Sequence, residues 1–533
     1  MLSQSDNQIY DYVIVGAGSA GCVIARRLSD DPAIRVLLLE AGPPAKGFWI
    51  DTPAGMSKLF RNLRYNWGYF TESMPTLRNR SLYWPRGKAL GGSSAINGMV
   101  YVRGNRGDFD HWANLGNPGW AWDDVLPYFK RLENYPPMTD GPLSVSDPSV
   151  KHPTAADFIE AARRMGIPTV HPFSGEEPES AGFLQASIRN GRRHSSYEAY
   201  LAPVRDRANL AVKTGMHVRR VLIENRRAIG VEVLQDNRLR TITAAREVIL
   251  CAGALNSPQV LMLSGIGDGD ALQRHGIAPV LHLPGVGRNL QDHFVARIQW
   301  ASTPGCRNSR ALHGWRKYAE GARYLATRGG YLASAASMAA AFVRSSSEFS
   351  YSNLEMSFRP MTFTYHASGA VEIDKIDAIS ASVYNTRPAS RGEVRLRSNN
   401  PLDAPLFLPN LLSEPSDVQT MLSGIRKLRA IVSTEPLAHR VISELTPGSA
   451  SRTDEELIDY LEREGQCAFH PAGSCKMGSD AMAVVDARLR VHGIDGLRIA
   501  DASIMPTLTS GNTNAPSIMI GEKCAAMILQ DAA

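Results

Sequence analysis

Apolar and polar positions along this chain follow two periods, and each predicts a different kind of element. Residues 11–15, Asp-Tyr-Val-Ile-Val, form the short β-branched run expected of a parallel strand buried on both faces. Gly16-Ala-Gly-Ser-Ala-Gly21 follows and opens a helical pattern through Val23, Ile24 and Leu28. A second apolar run, 35–40, ends at Glu40 and predicts the next strand. Strand, helix and strand within about 30 residues make a βαβ unit with a right-handed crossover. Between 209 and 252 the period shortens to two and predicts a β-meander with strands at 210–213, 218–224, 229–234 and 247–251. Residues 301–453 alternate again, with strand candidates at 354–358 and 392–397, and read as a separate sheet-bearing unit. The segment 484–528 returns to a strand at 497–499 and closes with a helix beginning near Pro516. Pro/Gly-rich connectors fall at 41–47, 136–148 and 283–287, and no internal repeat is visible.

Composition narrows the function classes. At about 150 residues per domain, 533 residues predict three to four domain-sized units. The charge balance is 58 − 52 = +6, with 44% hydrophobic and 21% charged residues, so a large buried core is expected. No dense Lys/Arg run marks a nucleic-acid groove, and nucleic acid is not an expected partner. The cysteines Cys22, Cys251, Cys306, Cys467, Cys475 and Cys524 lie far apart with no zinc-ligand spacing, so no metal site is expected. The first ten residues carry no secretory pattern, and the Ala-rich stretch 331–343 is too short to span a bilayer. A cytoplasmic protein is expected, with room for peripheral contact with the inner membrane.

Candidate chemistry begins at the glycines. Gly16 permits a tight turn after the strand, Gly18 lets the backbone approach a pyrophosphate, and Gly21 allows close helix–strand packing. The phosphates would then meet the free N–H groups of the helix N-terminus. Glu40, about 20 residues on, stands where an acidic side chain holds a ribose diol. Together these predict dinucleotide binding without deciding between FAD and NAD.

Three further blocks bear on that choice: Pro85-Arg-Gly-Lys-Ala-Leu-Gly-Gly-Ser-Ser-Ala-Ile-Asn97-Gly, the stretch 253–267 beginning Gly-Ala-Leu-Asn-Ser-Pro, and His470-Pro-Ala-Gly-Ser-Cys-Lys-Met-Gly478. With Arg498-Ile-Ala-Asp-Ala-Ser-Ile-Met-Pro506 and Gly511-Asn-Thr-Asn-Ala-Pro516, they closely resemble the glucose–methanol–choline (GMC) oxidoreductases. The likeness covers almost the entire chain and is nearest to the bacterial choline- and alcohol-dehydrogenase branch, which also contains hydroxymethylfurfural oxidases.

The resemblance implies an α/β (α+β) fold, with a Rossmann-like FAD-binding domain and a substrate domain carrying an antiparallel sheet and helices. The expected FAD unit is 1–155, 200–300 and 465–533, and the substrate unit is 156–199 and 301–464. It further implies that Gly16, Gly18, Ser19, Ala20, Glu40 and Ala41 hold the ADP half, with Val218 offering backbone contact to adenine. Trp67 and the 91–100 loop, with Gly91, Gly92, Ser93, Asn97, Gly98, Met99 and Val100, would pass along the pyrophosphate and isoalloxazine. Ala252, Asp501 and Ala502 would join the cofactor site, and Asn512 and Thr513 would meet the pyrimidine edge. Some relatives link FAD through a His just before the Asn of the Gly-Gly-Ser-Ser block; here Ile96 stands there, before Asn97, so a noncovalent flavin is expected.

The implied reaction is oxidation of a primary alcohol to the aldehyde, with electrons passed to a quinone-type or other carrier, or to O2. Removing a proton from an alcohol as hydride leaves its carbon needs a base, and a buried neutral imidazole suits that task. His470 stands at the family's base position and Asn514 matches the second member of its catalytic pair, an amide able to steady charge on the substrate oxygen. Pro516 fits the first turn of the final helix, whose positive end is expected to face the flavin pyrimidine. Phe469 is expected beside the ring. Phe358, Met361, Phe363, Tyr365 and Tyr384 are candidate pocket residues for an aromatic or moderately apolar alcohol. The alternative reading is an FAD-containing lyase or photodecarboxylase of the same fold, with no net alcohol oxidation.

Overall fold

The computed structural model describes residues 4–5, 9–304, 313–365 and 371–532. Two sheets organise them. The first contains Tyr10–Val15 (β1), Val36–Glu40 (β2), Leu210–Thr214 (β3), His217–Glu224 (β4), Arg227–Gln235 (β5) and Arg238–Leu250 (β6), in the order β3-β2-β1-β6-β5-β4. Helix α1, Ser19–Leu28, crosses between β1 and β2 as the glycine-rich turn predicts, burying Cys22, Val23, Ile24 and Leu28. β1 lies parallel to β2 with Tyr12 opposite Val36 and Val15 opposite Leu39. The carboxyl-terminal half of β6 runs parallel to β1 on one side and to Leu497–Ile499 on the other. Its amino-terminal half turns away to pair antiparallel with β5. The expected meander is therefore only three strands.

The run 210–213 is not part of that meander. It forms β3, parallel to β2 at the sheet edge, with Leu210 opposite Val36 and Thr214 opposite Glu40. Asn209 fixes it there: its Nδ2 donates to the carbonyls of Ser29, Asp31 and Ile34, at distances of 2.9–3.2 Å.

The second sheet is antiparallel. It contains Phe294–Ser302 (β7), Ala339–Val343 (β8), Leu354–Arg359 (β9), Ala378–Asn385 (β10), Val441–Thr446 (β11) and Gln466–Cys467 (β12). The order is β11-β7-β10-β9-β8, ending on Ser180–Phe183, with β12 also paired to β7. Strand β7 begins inside the segment expected to belong to the FAD unit, yet its hydrogen bonds all go to this sheet. Ile298, Ala381, Val383, Leu354, Met356 and Phe358 make an apolar back face, covered by helices α2, Pro153–Arg164, and α3, Pro415–Val432. The opposite face carries Val295, Arg297, Ser382, Tyr384, Glu355, Ser357 and Arg359, paired across the strands as Val295–Tyr384–Glu355 and Arg297–Ser382–Ser357. That face is polar and looks into a cavity.

The chain closes with helix α4, Asn514–Ala532, with Pro516 in its first turn. It packs directly on α1, so both helices open at the same end of the first sheet. Cys22, Cys251, Cys467, Cys475 and Cys524 are buried free thiols; Cys306 lies outside the described residues. The stretch 331–343 forms a short turn and strand β8, and among the described residues no helix is long and apolar enough to cross a membrane.

Candidate active site

One cavity of about 790 Å³ runs from the glycine fingerprint to the polar face of the second sheet. It is lined by Gly16, Gly18, Ser19, Ala20, Glu40, Ala41, Trp67, Gly92, Ser93, Asn97, Gly98, Met99, Val100, Val218, Ala252, Phe469, His470, Asp501, Ala502, Asn512, Thr513 and Asn514. Three expected residues do not line it. A side chain on Gly21 would stand 1.9 Å from the Gly16 carbonyl, so this glycine serves helix–strand packing, as its motif position predicts. Gly91 donates its N–H to the Ala17 carbonyl and supports the loop from behind.

Phe358 is the third, and here the expectation fails. Successive side chains on a strand point to opposite faces; Ser357 and Arg359 face the cavity, so Phe358 faces back and stacks on Phe158 of α2 at 4.9 Å. Met361, Phe363 and Tyr384 do line the cavity; the side chain of Tyr365 lies outside the described residues. The pocket is thus less aromatic and more charged than the sequence suggests.

At the cofactor end, Glu40 accepts from the Ala17 and Gly42 amides at 3.0 and 2.8 Å, and burial pushes its carboxyl up to about 7. Asp501 accepts from the Gly253 and Ser503 amides and from the Ser257 hydroxyl. The 91–100 loop is held from outside by Arg193, a buried guanidinium that sequence reasoning missed. It donates to the carbonyls of Ile50, Ser94 and Asn97 and to Asn97 Oδ1.

These residues fit FAD. The N-terminus of α1 has no side-chain cap, leaving amide donors for phosphate. A Cβ on Gly18 would meet only the Cys251 carbonyl, at 3.9 Å, so space for a ligand remains at that backbone. Asn512 Oδ1 is buried in the protein without a partner, an acceptor awaiting a donor such as a flavin or substrate N–H or O–H.

His470 follows β12 and is gripped by its backbone. Its N–H donates to Asp292 Oδ1 at 2.8 Å, while Asp292 Oδ2 accepts from Trp84 Nε1 at 2.9 Å. Ala468 and Ala472 pair with His293 and Gln291, and Arg86 donates to the Phe469 carbonyl. The loop 468–472 is thereby laced to residues 291–293 at the start of β7.

The imidazole has two nitrogen neighbours. Asn512 Nδ2 lies 2.9 Å from Nε2, and His293 Nδ1 lies 2.9 Å from Nδ1. An amide N–H on Nε2 requires a lone pair there, so Nδ1 carries the proton and donates to His293 Nδ1. His293 then holds its own proton on Nε2. That nitrogen has no close hydrogen-bond partner, but the backbone carbonyls of Thr386 and Thr509 favour a proton on this ring. Burial, with the neighbouring His293 and Arg86, drives protonation of His470 well below the ordinary imidazole range. The arrangement presents a neutral base with its lone pair on the Nε2 side.

Asn514 is not brought to His470. It begins α4, and its Oδ1 accepts from the Ser19 hydroxyl at 2.8 Å, joining the N-termini of α4 and α1. Asn512, two residues earlier in the loop before the helix, takes the position beside the imidazole. His194 accepts from the Ser144 amide and is a structural histidine.

The GMC oxidoreductase family profiles match residues 10–295 and 388–521. The chain is 41% identical over 537 residues to an alcohol dehydrogenase [acceptor] of Pseudomonas putida, covering 98% of this chain and 96% of that protein. It is 42% identical over 534 residues to the mitochondrial choline dehydrogenase of Homo sapiens, covering 97% of this chain and 89% of the other. Among solved structures, pyridoxine 4-oxidase from Mesorbium loti superposes with a TM-score of 0.86 at 33% identity, covering 98% of this chain and 99% of that one. With matches spanning both sheets and the His470 loop, the chain belongs to the GMC oxidoreductases, FAD-dependent enzymes that act on CH–OH donors.

Proposed function

We propose that this protein oxidises a primary alcohol to the aldehyde with His470 as the base, and that Asn512, rather than Asn514, is the second member of the pair. The observation that carries this reading is the 2.9 Å contact between His470 Nε2 and Asn512 Nδ2 on the cavity wall. Gly18, Ser19, Glu40, Asp501 and the 91–100 loop would hold FAD, which when bound supplies the two-electron acceptor for the hydride leaving the carbinol carbon.

The alcohol oxygen would bridge the two nitrogens from the cavity side. Its O–H donates to the His470 lone pair, and the oxygen accepts the amide hydrogen that Asn512 now gives to Nε2. As the proton moves to Nε2, negative charge on oxygen is met by a donor already in place. His470 Nδ1–H stays on His293 throughout, so the ring does not rotate as its charge changes.

Anaerobic mixing with alcohol tests the base. His470→Ala should slow flavin bleaching by about 10²–10⁴-fold with the oxidised flavin spectrum retained. Bleaching at the parent rate would refute the assignment. A parent enzyme that no alcohol bleaches would favour the lyase or photodecarboxylase alternative.

The onward acceptor is assigned to a quinone-type or other carrier, supported by the similarity to the alcohol dehydrogenase [acceptor]. Slow reoxidation by O2 and fast reoxidation by a soluble quinone are expected in stopped flow. The reverse order would make the protein an oxidase.

A further inference from the structure

Arg359 lies on the polar face of the second sheet and lines the same cavity as His470, with 8% of its surface exposed. A buried guanidinium is costly unless an anion faces it. Its hydrogen-bond partners are neutral: Nη1 donates to Ser382 Oγ at 2.8 Å and marginally to the Ser357 carbonyl, and Nη2 donates to Tyr384 Oη at 3.1 Å. Among the described residues no carboxylate lies within ion-pair distance of it.

The uncommitted edge is the informative one. Nε–H and the second hydrogen of Nη2 together form the fork that fits a carboxylate bidentately. Elsewhere in this molecule that edge is used for this purpose: Arg27 on Glu522, Arg429 on Glu444 and Arg498 on Glu247 each engage both oxygens through Nε and Nη2. At Arg359 the fork is present, and the carboxyl that feels its charge, Glu355, makes no hydrogen bond to that edge.

We propose that Arg359 is the recognition site for a carboxylate on the substrate, so that the alcohols this enzyme prefers are hydroxymethyl acids bearing a carboxylate at the end remote from the carbinol. This rests on the reading of His470 as the base. Its reach follows from the sheet. His470 leaves β12, which pairs with β7, which pairs with β10, and the Arg359 head lies over Ser382 and Tyr384 of β10. Two strand spacings are about 10 Å, the span of an aromatic ring carrying the two groups at opposite ends. The Phe363 ring, 5.9 Å from the Arg359 guanidinium and 4.1 Å from that of Arg297, offers such a ring an apolar surface.

Glu355 is a carboxyl on this face, opposite Tyr384, and it modulates the site. Burial pushes it up to about 7, so near neutrality it only partly offsets the guanidinium.

The test measures binding and turnover separately on the FAD-loaded enzyme. Calorimetry with 4-methylbenzoate and the isosteric 4-methylbenzamide, neither an alcohol, should give at least tenfold tighter binding of the carboxylate. Arg359→Gln should erase that preference, and Glu355→Gln should increase it at pH 8. In turnover, kcat/KM for 4-(hydroxymethyl)benzoate should exceed that for benzyl alcohol by a similar factor, and for choline by more. Equal affinity for acid and amide in the parent, or an unchanged preference in a flavin-loaded Arg359→Gln protein, would overturn the proposal. If 4-methylbenzoate binds selectively while no alcohol bleaches the flavin, the carboxylate site stands and the oxidation reading falls.

Discussion

Two asparagines stand two residues apart, and their side chains serve different ends. Asn512 lies in the loop and faces His470; Asn514 is the first residue of α4 and is turned to Ser19. Asn512→Ala should therefore cut the rate of flavin reduction by about 10²–10³-fold, the usual effect of losing one oxyanion donor. Asn514→Ala should leave that rate within a few-fold and raise the dissociation constant for FAD instead. Stopped-flow reduction and flavin titration of both variants separate the roles. Sequence alone could not, because both residues sit in one motif and the helix boundary decides which way each points. His293 lies in a polar stretch that allows an active-site place without showing one: 177 residues separate it from its contact, and only the fold brings the two rings together. Ile96, by contrast, was legible at once, since an aliphatic side chain offers no nucleophile to the flavin.

The pairing of α1 with α4 places two helix N-termini beside one cavity. Their close approach depends on Gly521, where a Cβ would come within 2.9 Å of the Ala20 Cα and carbonyl oxygen. Gly521→Ala should force the helices apart at a cost of about 1–3 kcal/mol, read as a fall in Tm and weaker FAD retention. At this scale the fingerprint helix, the strands flanking it and the final helix were readable, because each carries a complete local pattern. Strand β3 was misassigned for the opposite reason. A five-residue strand reads alike in a meander or at a parallel edge, and only Asn209 reaching three carbonyls of a distant turn decides it. The face on which Phe358 lies was likewise a matter of register, and a one-residue difference reverses it.

The described residues build two large sheets around a shared cavity, and the FAD is expected to be held without a covalent bond. Acid precipitation should release the yellow colour to the supernatant, whereas colour kept in the pellet would contradict Ile96. Protein stripped gently of FAD should melt at lower temperature and recover on its return, by about 4 kcal/mol at a thousandfold excess over Kd.

The lacing of 468–472 onto 291–293 has a consequence for dissection of the protein. The base lies on no strand but on the loop that continues β12 alongside the start of β7. A coenzyme-binding piece from which either 291–293 or 468–472 has been cut away would be inert, because the imidazole and the neighbour that tells it which nitrogen to leave bare would no longer meet.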